Sequence, residues 1–242
     1  MPGDNLMPTE LGEFDLRGFL AKSSLFGGLS AEELARVSLS CQVRRYARGD
    51  LIFRAGEPSD AFFMVMTGRI KLFLLSPAGQ EKVVEIISPG QSFAEALVFL
   101  DKPYIVSAQA LADAVLVSVS KQGVIREIQQ DARMALHMLA GLSKRLHGLI
   151  QDVEGYALSS GLQRLIGFLL RDLVANPDQM PNTATISLPA SKATIASRLS
   201  LSPEYFSRVL HELESAKLIT IDRREIRILD VKKLMAFGTE QG

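Results

Sequence analysis

Three hydrophobic periodicities follow one another along the chain. Residues 11–25 place Phe14, Leu16, Phe19 and Leu20 at helical spacing, and Ser30-Ala31-Glu32-Glu33 is a capping box that opens a second helix through about Leu39. From Cys41 to Ser120 the pattern shortens to β-rich runs at residues 51–53, 62–66, 70–75, 83–87 and 111–119, the last broken near Asp113. Gly/Pro/Asp-containing breaks separate them at 48–50, 56–58, 67–69, 77–80 and 89–90. Many short strands joined by regular turns predict an antiparallel barrel or a double-sheet roll.

Beyond position 120 the helical period returns. A short helix is expected over 121–129, and a long one from Asp131 to Gly155 or Tyr156. In the long helix Leu139, Leu142, Leu146, Leu149, Val153 and Tyr156 are spaced 3, 4, 3, 4, 3. That is an a/d seam, which seeks a partner helix and predicts a homodimer. Met138 and Ile150 lie beside the seam and are assigned to packing on the chain's own roll. A further amphipathic helix carries Leu162, Leu165, Ile166, Leu169 and Leu173 and ends before Asn176-Pro177. A loop over 177–185 and a short strand at 186–188 follow.

Residues 193–219 form two short helical patterns around a break at Leu199-Ser200-Leu201. Ser202 suits an N-cap, and Pro203 suits the first helical position, where its missing N–H costs nothing. Phe206, Val209, Leu210 and Leu213 make one inward stripe, which leaves Glu204, Ser207 and Arg208 outward near the helix start. A helix-turn-helix presents residues at that place to base edges in a major groove. Arg208 can donate two bonds to guanine O6 and N7, Glu204 can accept from a cytosine N4 amine, and Ser207 suits a thymine or adenine neighbour. Ser191 and Lys192 open the first helix of the motif and are candidate phosphate contacts. Residues 218–221 and 226–229 flank Asp222-Arg223-Arg224-Glu225 as a hairpin, so the module is winged.

Composition narrows the class. Hydrophobic residues make up 47% of 242, which indicates a globular chain of about two domains. Lys+Arg and Asp+Glu both number 27, so the total charge does not announce a nucleic-acid binder. From Leu158 onward there are 11 basic and 9 acidic residues, a small bias toward phosphate at the C-terminal end. Cys41 is the one cysteine, so neither a disulfide nor a cysteine-ligated iron–sulfur cluster can form within the chain. No apolar run reaches membrane-spanning length, so no membrane partner is expected and the cytoplasm is the expected location. The expected class is α+β, with a flexible tail at 1–10, a β-roll sensor at 11–130, a dimerisation helix at 131–156 and a winged helix-turn-helix at 157–242. An oxygenase built on a similar roll needs two or three His around iron, and no His precedes position 137, so the chain is not expected to be an enzyme.

A capped helix, a roll, a long seam helix and a winged helix-turn-helix, in that order, resemble the CRP/FNR superfamily of bacterial transcription regulators. The resemblance covers nearly the whole chain. It is carried by Leu25-Phe26-x-Gly28-Leu29-Ser30, Arg48-Gly49-Asp50-x-Ile52-Phe53, Gly56-Glu57-Pro58-x-Asp60, Gly68-Arg69-Ile70-Lys71-Leu72, Gly79-Gln80-Glu81, Pro89-Gly90-Gln91-x-Phe93-Ala94-Glu95 and Pro203-Glu204-x-x-Ser207-Arg208. It implies a cyclic-nucleotide-binding-like roll that senses a ligand and a DNA reader that acts with RNA polymerase. The Glu204-x-x-Ser207-Arg208 pattern is like that of members whose half-sites resemble TTGAT. Two-fold symmetry then implies the inverted repeat TTGAT-N4-ATCAA in double-stranded promoter DNA.

Nucleotide-binding members carry Gly-Glu and Arg-Ser/Thr pairs; here these positions read Ala94-Glu95 and Val106-Ser107, and Leu149-Ile150 stands where the adenine-reading polar pair resides. The missing arginine disfavours cyclic AMP. The chain is most similar to the nitric-oxide-responsive branch that regulates dissimilative nitrate respiration, on Gln80-Glu81-Lys82-Val83, Ser107-Ala108-Gln109-Ala110, Ser143-x-Arg145-Leu146-His147 and Arg224-Glu225-Ile226. That resemblance implies an activator of denitrification and anaerobic respiration genes, with haem b in the roll and nitric oxide as signal. The histidines are His137, His147 and His211; His147 is the candidate haem ligand, His137 is weaker, and His211 belongs to the recognition helix. Met64, Met66 and Phe63 are expected to fill core. The alternative keeps the DNA function without haem, under control of Cys41 redox chemistry, abundance or another small effector.

Overall fold

The computed structural model describes residues 15–23, 25–174 and 181–240, with the side chains at 98, 144, 145, 148, 149, 151–158, 172, 174 and 240 outside that description. The expected tail at 1–10 also lies outside it. Helix α1 (Leu16–Ala21) is shorter than the periodicity predicts and is capped by Asp15, which accepts from the Gly18 N–H at 2.8 Å. Helix α2 (Ala31–Ser38) carries the expected capping box: Ser30 accepts from the Glu33 N–H, and Glu33 accepts from the Ser30 N–H at 2.6 Å.

Eight strands then build the roll: β1 (Cys41–Tyr46), β2 (Leu51–Phe53), β3 (Ala61–Thr67), β4 (Ile70–Leu75), β5 (Glu81–Ile87), β6 (Ser92–Phe93), β7 (Ser107–Ala110) and β8 (Ala114–Ser120). They form two antiparallel four-stranded sheets, ordered β1-β8-β3-β6 and β2-β7-β4-β5. Of the run expected at 111–119 only β8 is a strand; residues 111–113 are the bend that joins it to β7, which lies before the run and in the other sheet. A four-residue helix, α3 (Leu97–Leu100), and the strands β6 and β7 carry too few residues to show a period.

The space between the sheets is filled by Phe53, Phe63, Val65, Ile70, Leu72, Ile87, Phe93, Tyr104 and Leu116. Phe53 stacks on Tyr104 at a centroid distance of 3.7 Å, and Phe63 on Phe93 at 5.3 Å. The outer face of the other sheet packs on the helices through Leu20, Phe26, Val37, Phe62, Met64, Met66, Val117 and Val119. Met64, Met66 and Phe63 are core residues, as the sequence predicts.

Helix α4 (Lys121–Gln130) leads into α5 (Arg133–Leu158). Met134 and Met138 bury one face of α5 against the roll. The opposite face exposes Leu136, Leu139, Leu146 and Ile150. Leu139 and Leu146 thus stand free of their own roll, and Leu142 is half-buried; Leu149, Val153 and Tyr156 fall among the undescribed side chains. Ile150 corrects the expectation. It is 57% exposed and does not serve the roll, because its position on α5 matches Leu146 and Leu139 rather than Met138.

The C-terminal domain comprises α6 (Gly161–Val174), β9 (Ala184–Ser187), α7 (Lys192–Arg198), α8 (Pro203–Ser215), β10 (Ile219–Asp222), β11 (Glu225–Ile228) and α9 (Val231–Glu240). Its sheet runs β10-β11-β9, so the short strand before the helix-turn-helix completes the wing. Leu165, Ile195, Phe206, Leu210, Leu213, Ile219, Ile226 and Leu234 form its core, and Ile86 and Leu111 of the roll pack against it.

Candidate nucleic-acid interface

The reader begins with two capped helices. Ser191 caps α7: its hydroxyl accepts from the Thr194 N–H at 3.1 Å and lies 2.8 Å from the Thr194 hydroxyl. Lys192, the first residue of α7, is exposed. The turn passes through Ser200 in the left-handed region (φ 56), and the Leu201 N–H donates to the Ala196 carbonyl at 2.9 Å, which closes the turn. Ser202 caps α8, accepting from the Tyr205 N–H at 3.2 Å, with Pro203 in the first turn.

Phe206, Val209, Leu210 and Leu213 are the buried stripe of α8, and Glu204, Ser207 and Arg208 are exposed. Glu204 is held below the usual carboxylate range, first by its own backbone N–H and then by the Ser202 hydroxyl. It is therefore an acceptor at neutral pH, the state a cytosine amine requires. Arg208 lies over the ring of Tyr205, with its guanidinium carbon 4.8 Å from the centroid. Sequence reasoning missed Tyr205; an aromatic residue three positions before an arginine on a helix was the available signal. His211 is exposed on the same helix, with Nδ1 3.6 Å from Glu214 Oε2.

The wing adds charge. Arg223 occupies the left-handed region (φ 52) between β10 and β11, and Arg224 Nη2 reaches the Leu188 carbonyl at 3.4 Å. Arg223, Arg224, Ser191 and Lys192 line one wall of a cleft of about 520 Å³, and Arg48, Gly49 and residues 109–112 of the roll line the other. The structure thus brings the two phosphate candidates, Ser191 and Lys192, beside the wing arginines.

The roll's ligand position is different in character. Glu95 is 4% exposed, and Ser92 Oγ lies 3.3 Å from its Oε1. Ala94 keeps the left-handed backbone (φ 66) at the place where nucleotide-binding members carry glycine. Val106 packs against the aromatic core, and Ser107 Oγ accepts from the Ala55 N–H at 3.0 Å. At the cassette position stand the apolar Val106 and the buried carboxylate of Glu95, and Val106 takes the place of the arginine that would pair with a phosphate.

Haem b, implied by the resemblance, does not fit the described residues of the roll. The inter-sheet space holds Phe53, Phe63, Phe93 and Tyr104, whose hydroxyl donates to the Ala61 carbonyl at 2.7 Å. His147, the candidate ligand, is exposed on α5. His137 is half-buried and turned toward Gly28, where an added Cβ would sit 2.3 Å from the His137 Cε1. Burial pushes the Cys41 thiol up to about 12, and its Sγ donates to the Val37 carbonyl at 3.3 Å, so it is not a ready thiolate. Among the described residues no group of three His, Cys, Asp or Glu is placed to hold a metal ion.

A roll of two four-stranded sheets, a helix with an unpartnered leucine face and a winged helix-turn-helix define a DNA-binding regulator with a sensor domain. Residues 43–131 match the family described as Cyclic nucleotide-binding domain, and residues 163–237 match the Crp-like helix-turn-helix domain. The chain belongs to the CRP/FNR family of transcription regulators. It is similar to the Cyclic AMP receptor protein of Thermus thermophilus, 27% identical over 89% of this chain and 98% of that one. DNR from Pseudomonas aeruginosa is 34% identical in a structure covering 93% of this chain and 99% of that one, with a TM-score of 0.52. FixK2 from Bradyrhizobium japonicum shares the fold, with a TM-score of 0.71 over 81% of this chain and 96% of that one, at 20% identity. No helix among the described residues is long and apolar enough to cross a membrane.

Proposed function

We propose that the chain acts as a homodimer that reads the inverted repeat TTGAT-N4-ATCAA and passes its occupancy to RNA polymerase. The observation that carries this reading is the trio Glu204, Ser207 and Arg208, exposed at the start of a capped helix whose other face is fully buried. Arg208 supplies the bidentate donor for guanine, Glu204 the acceptor for cytosine, and Ser207 the contact to a thymine or adenine neighbour. Ser191, Lys192 and the wing arginines hold the backbone. The exposed leucines of α5 supply the dimer; each Leu or Ile fully buried there contributes about 1.5–3 kcal/mol.

For the signal, nitric oxide acting through haem b on denitrification genes is what the resemblance to the dissimilative nitrate respiration branch implies. The filled inter-sheet space and the exposed position of His147 favour the second reading, in which a small effector other than haem or a cyclic nucleotide, or the protein's abundance, sets activity. The protonated Cys41 thiol weighs against redox control at that residue.

The test is fluorescence anisotropy with a duplex carrying TTGAT-N4-ATCAA against one with both half-sites scrambled, before and after haem titration with and without nitric oxide. Selective binding supports the operator; equal binding of the two duplexes overturns it. A saturable Soret band together with nitric-oxide-dependent binding restores the haem reading.

A further inference from the structure

Strand β5 lies at the edge of its sheet, and α7 of the reader packs directly against it. The Val83 N–H donates to Ser197 Oγ at 3.0 Å. One residue earlier, Lys82 Nζ donates to the Ser197 carbonyl and, at 2.8 Å, to Ser200 Oγ. Ser197 lies in the last turn of α7, where its carbonyl also accepts from the Ser200 N–H at 3.2 Å, and Ser200 is the left-handed residue of the turn that leads into α8. A single side chain of the sensor roll thus spans the end of the first reader helix and the turn before the second.

We propose that Lys82 is a positioning residue for DNA reading: from the roll's edge strand it clamps the helix-turn-helix turn and fixes the angle at which each subunit presents α8.

Three observations support a positioning role. First, the clamp leaves Glu204, Ser207 and Arg208 exposed, so the held arrangement keeps the base-reading residues free. Second, the roll's Ile86 and Leu111 pack against the C-terminal core while only partly buried, and relative motion of two domains is the default unless their interface is large and apolar, so directional bonds between them bear on the angle. Third, the Lys82 pKa is lowered, first by burial and then by the Arg164 and Arg198 guanidiniums, so the charges that act on it repel rather than attract. The clamp therefore rests on directional hydrogen bonds to neutral oxygens, which fix an angle, rather than on charge attraction, which does not. Two readers on one dimer must meet two half-sites at a set separation and rotation, and each added base pair turns the second half-site by about 34–36°. A fixed reader angle therefore appears as a sharp preference for one spacer length.

This inference rests on the proposed inverted-repeat reading, and the experiment separates the two. The full-length protein and its Lys82→Met, Lys82→Arg and Ser197→Ala variants are titrated with duplexes carrying TTGAT half-sites at N3, N4, N5 and N6 spacing. The parent is expected to favour N4 over N5 by at least about tenfold, since a 1 bp change misplaces the second reader. Lys82→Met is expected to bind N4 more weakly and to narrow that ratio to below threefold. Half-site mismatch penalties stay unchanged, Lys82→Arg restores most of the ratio, and Ser197→Ala falls between. In the same proteins without DNA, amides 199–201 are expected to exchange at least tenfold faster in Lys82→Met than in the parent. A parental spacer ratio in Lys82→Met, tighter N4 binding in that variant, or unchanged exchange at 199–201 overturns the clamp. A parent that does not distinguish TTGAT from scrambled half-sites overturns the operator alone, and the exchange measurement still decides the clamp.

Discussion

The guanidinium carbon of Arg208 sits 4.8 Å from the ring centroid of Tyr205, three residues back on α8. A stacked guanidinium keeps its five donors while losing rotational freedom, so it is presented to a guanine already oriented. Arg208→Ala is expected to cost roughly 1–3 kcal/mol of DNA affinity and to relax base choice at one position of the half-site. Tyr205→Leu removes the platform and is expected to cost about 0.5–1 kcal/mol at the same base position, while Tyr205→Phe keeps the ring and the discrimination. Competition titrations with single-base half-site variants check both. Equal losses at every position would mean that Arg208 contacts phosphate instead.

The leucine face of α5 makes a second prediction. Leu139 and Leu146 are 54% and 60% exposed in the single chain, on the face away from Met134 and Met138. Leu146→Glu places a charge in the seam without touching the roll core. The variant is expected to sediment as a monomer and to lose binding to the inverted repeat, with thermal unfolding of the roll little changed. Met138→Ala, on the buried face, is expected to lower stability by about 2–5 kcal/mol.

Gly68 tests the roll's construction. It adopts φ +81 between β3 and β4, and a Cβ there would lie 2.5 Å from the Asp113 carbonyl oxygen and 2.7 Å from Ala114 Cα. Both obstacles are backbone atoms at the start of β8, so neither can rotate away. Gly68→Ala is expected to destabilise by more than about 2 kcal/mol, the left-handed penalty plus the clash. Gly49→Ala (φ +95, with open space around the Cβ) bears only the backbone term of about 1–2 kcal/mol. Urea midpoints of the two variants separate the effects.

The Asp131 carboxylate ties the start of α5. Arg133 donates to it through Nη2 at 2.6 Å, through Nε at 3.1 and 3.0 Å, and through its backbone N–H at 2.9 Å. The Arg133 side-chain bonds first, then its N–H, hold the Asp131 carboxyl far below the usual carboxylate range. A depressed folded-state pKa means that the folded state favours the charged form. The stabilisation is complete above the unfolded value of about 3.9 and is lost as pH falls from there toward the lower folded value. Asp131→Asn is expected to unfold at lower urea than the parent at pH 7, with the gap narrowing below about pH 4.

Cys41 is expected to be slow. With the thiol pushed up to about 12, iodoacetamide at pH 8 should alkylate it about a thousandfold more slowly than a free thiol, and the difference should vanish in urea. Cys41→Ser is expected to keep DNA binding under oxidising and reducing conditions alike.

What the sequence by itself determined was the order and kind of the elements. Capping boxes, glycine turns and the 3-4 leucine spacing act within a few residues, so Ser30, Gly68, Ser191, Ser202 and Pro203 announce their roles locally, and α5, α7 and α8 start within two residues of expectation. The base-reading trio was legible for the same reason: its exposure follows from the buried stripe on its own helix. The tertiary structure decided what depends on distant partners. The 111–119 run shortens to β8 at 114–120 because residues 111–113 carry the chain from the sheet of β7 to the other. Ile150 joins the exposed leucines and His147 is exposed because, among the described side chains, the face of α5 turned to the roll is the one that carries Met134, His137 and Met138. Helix α9 has a local start signal in Asp230, whose carboxylate accepts from the Lys233 N–H at 3.0 Å, but its place as a lid on the C-terminal core through Val231 and Leu234 depends on distant partners. The contact of Lys82 with Ser197 and Ser200 joins residues more than 110 positions apart, and no periodicity encodes a meeting between one domain's sheet edge and another domain's turn.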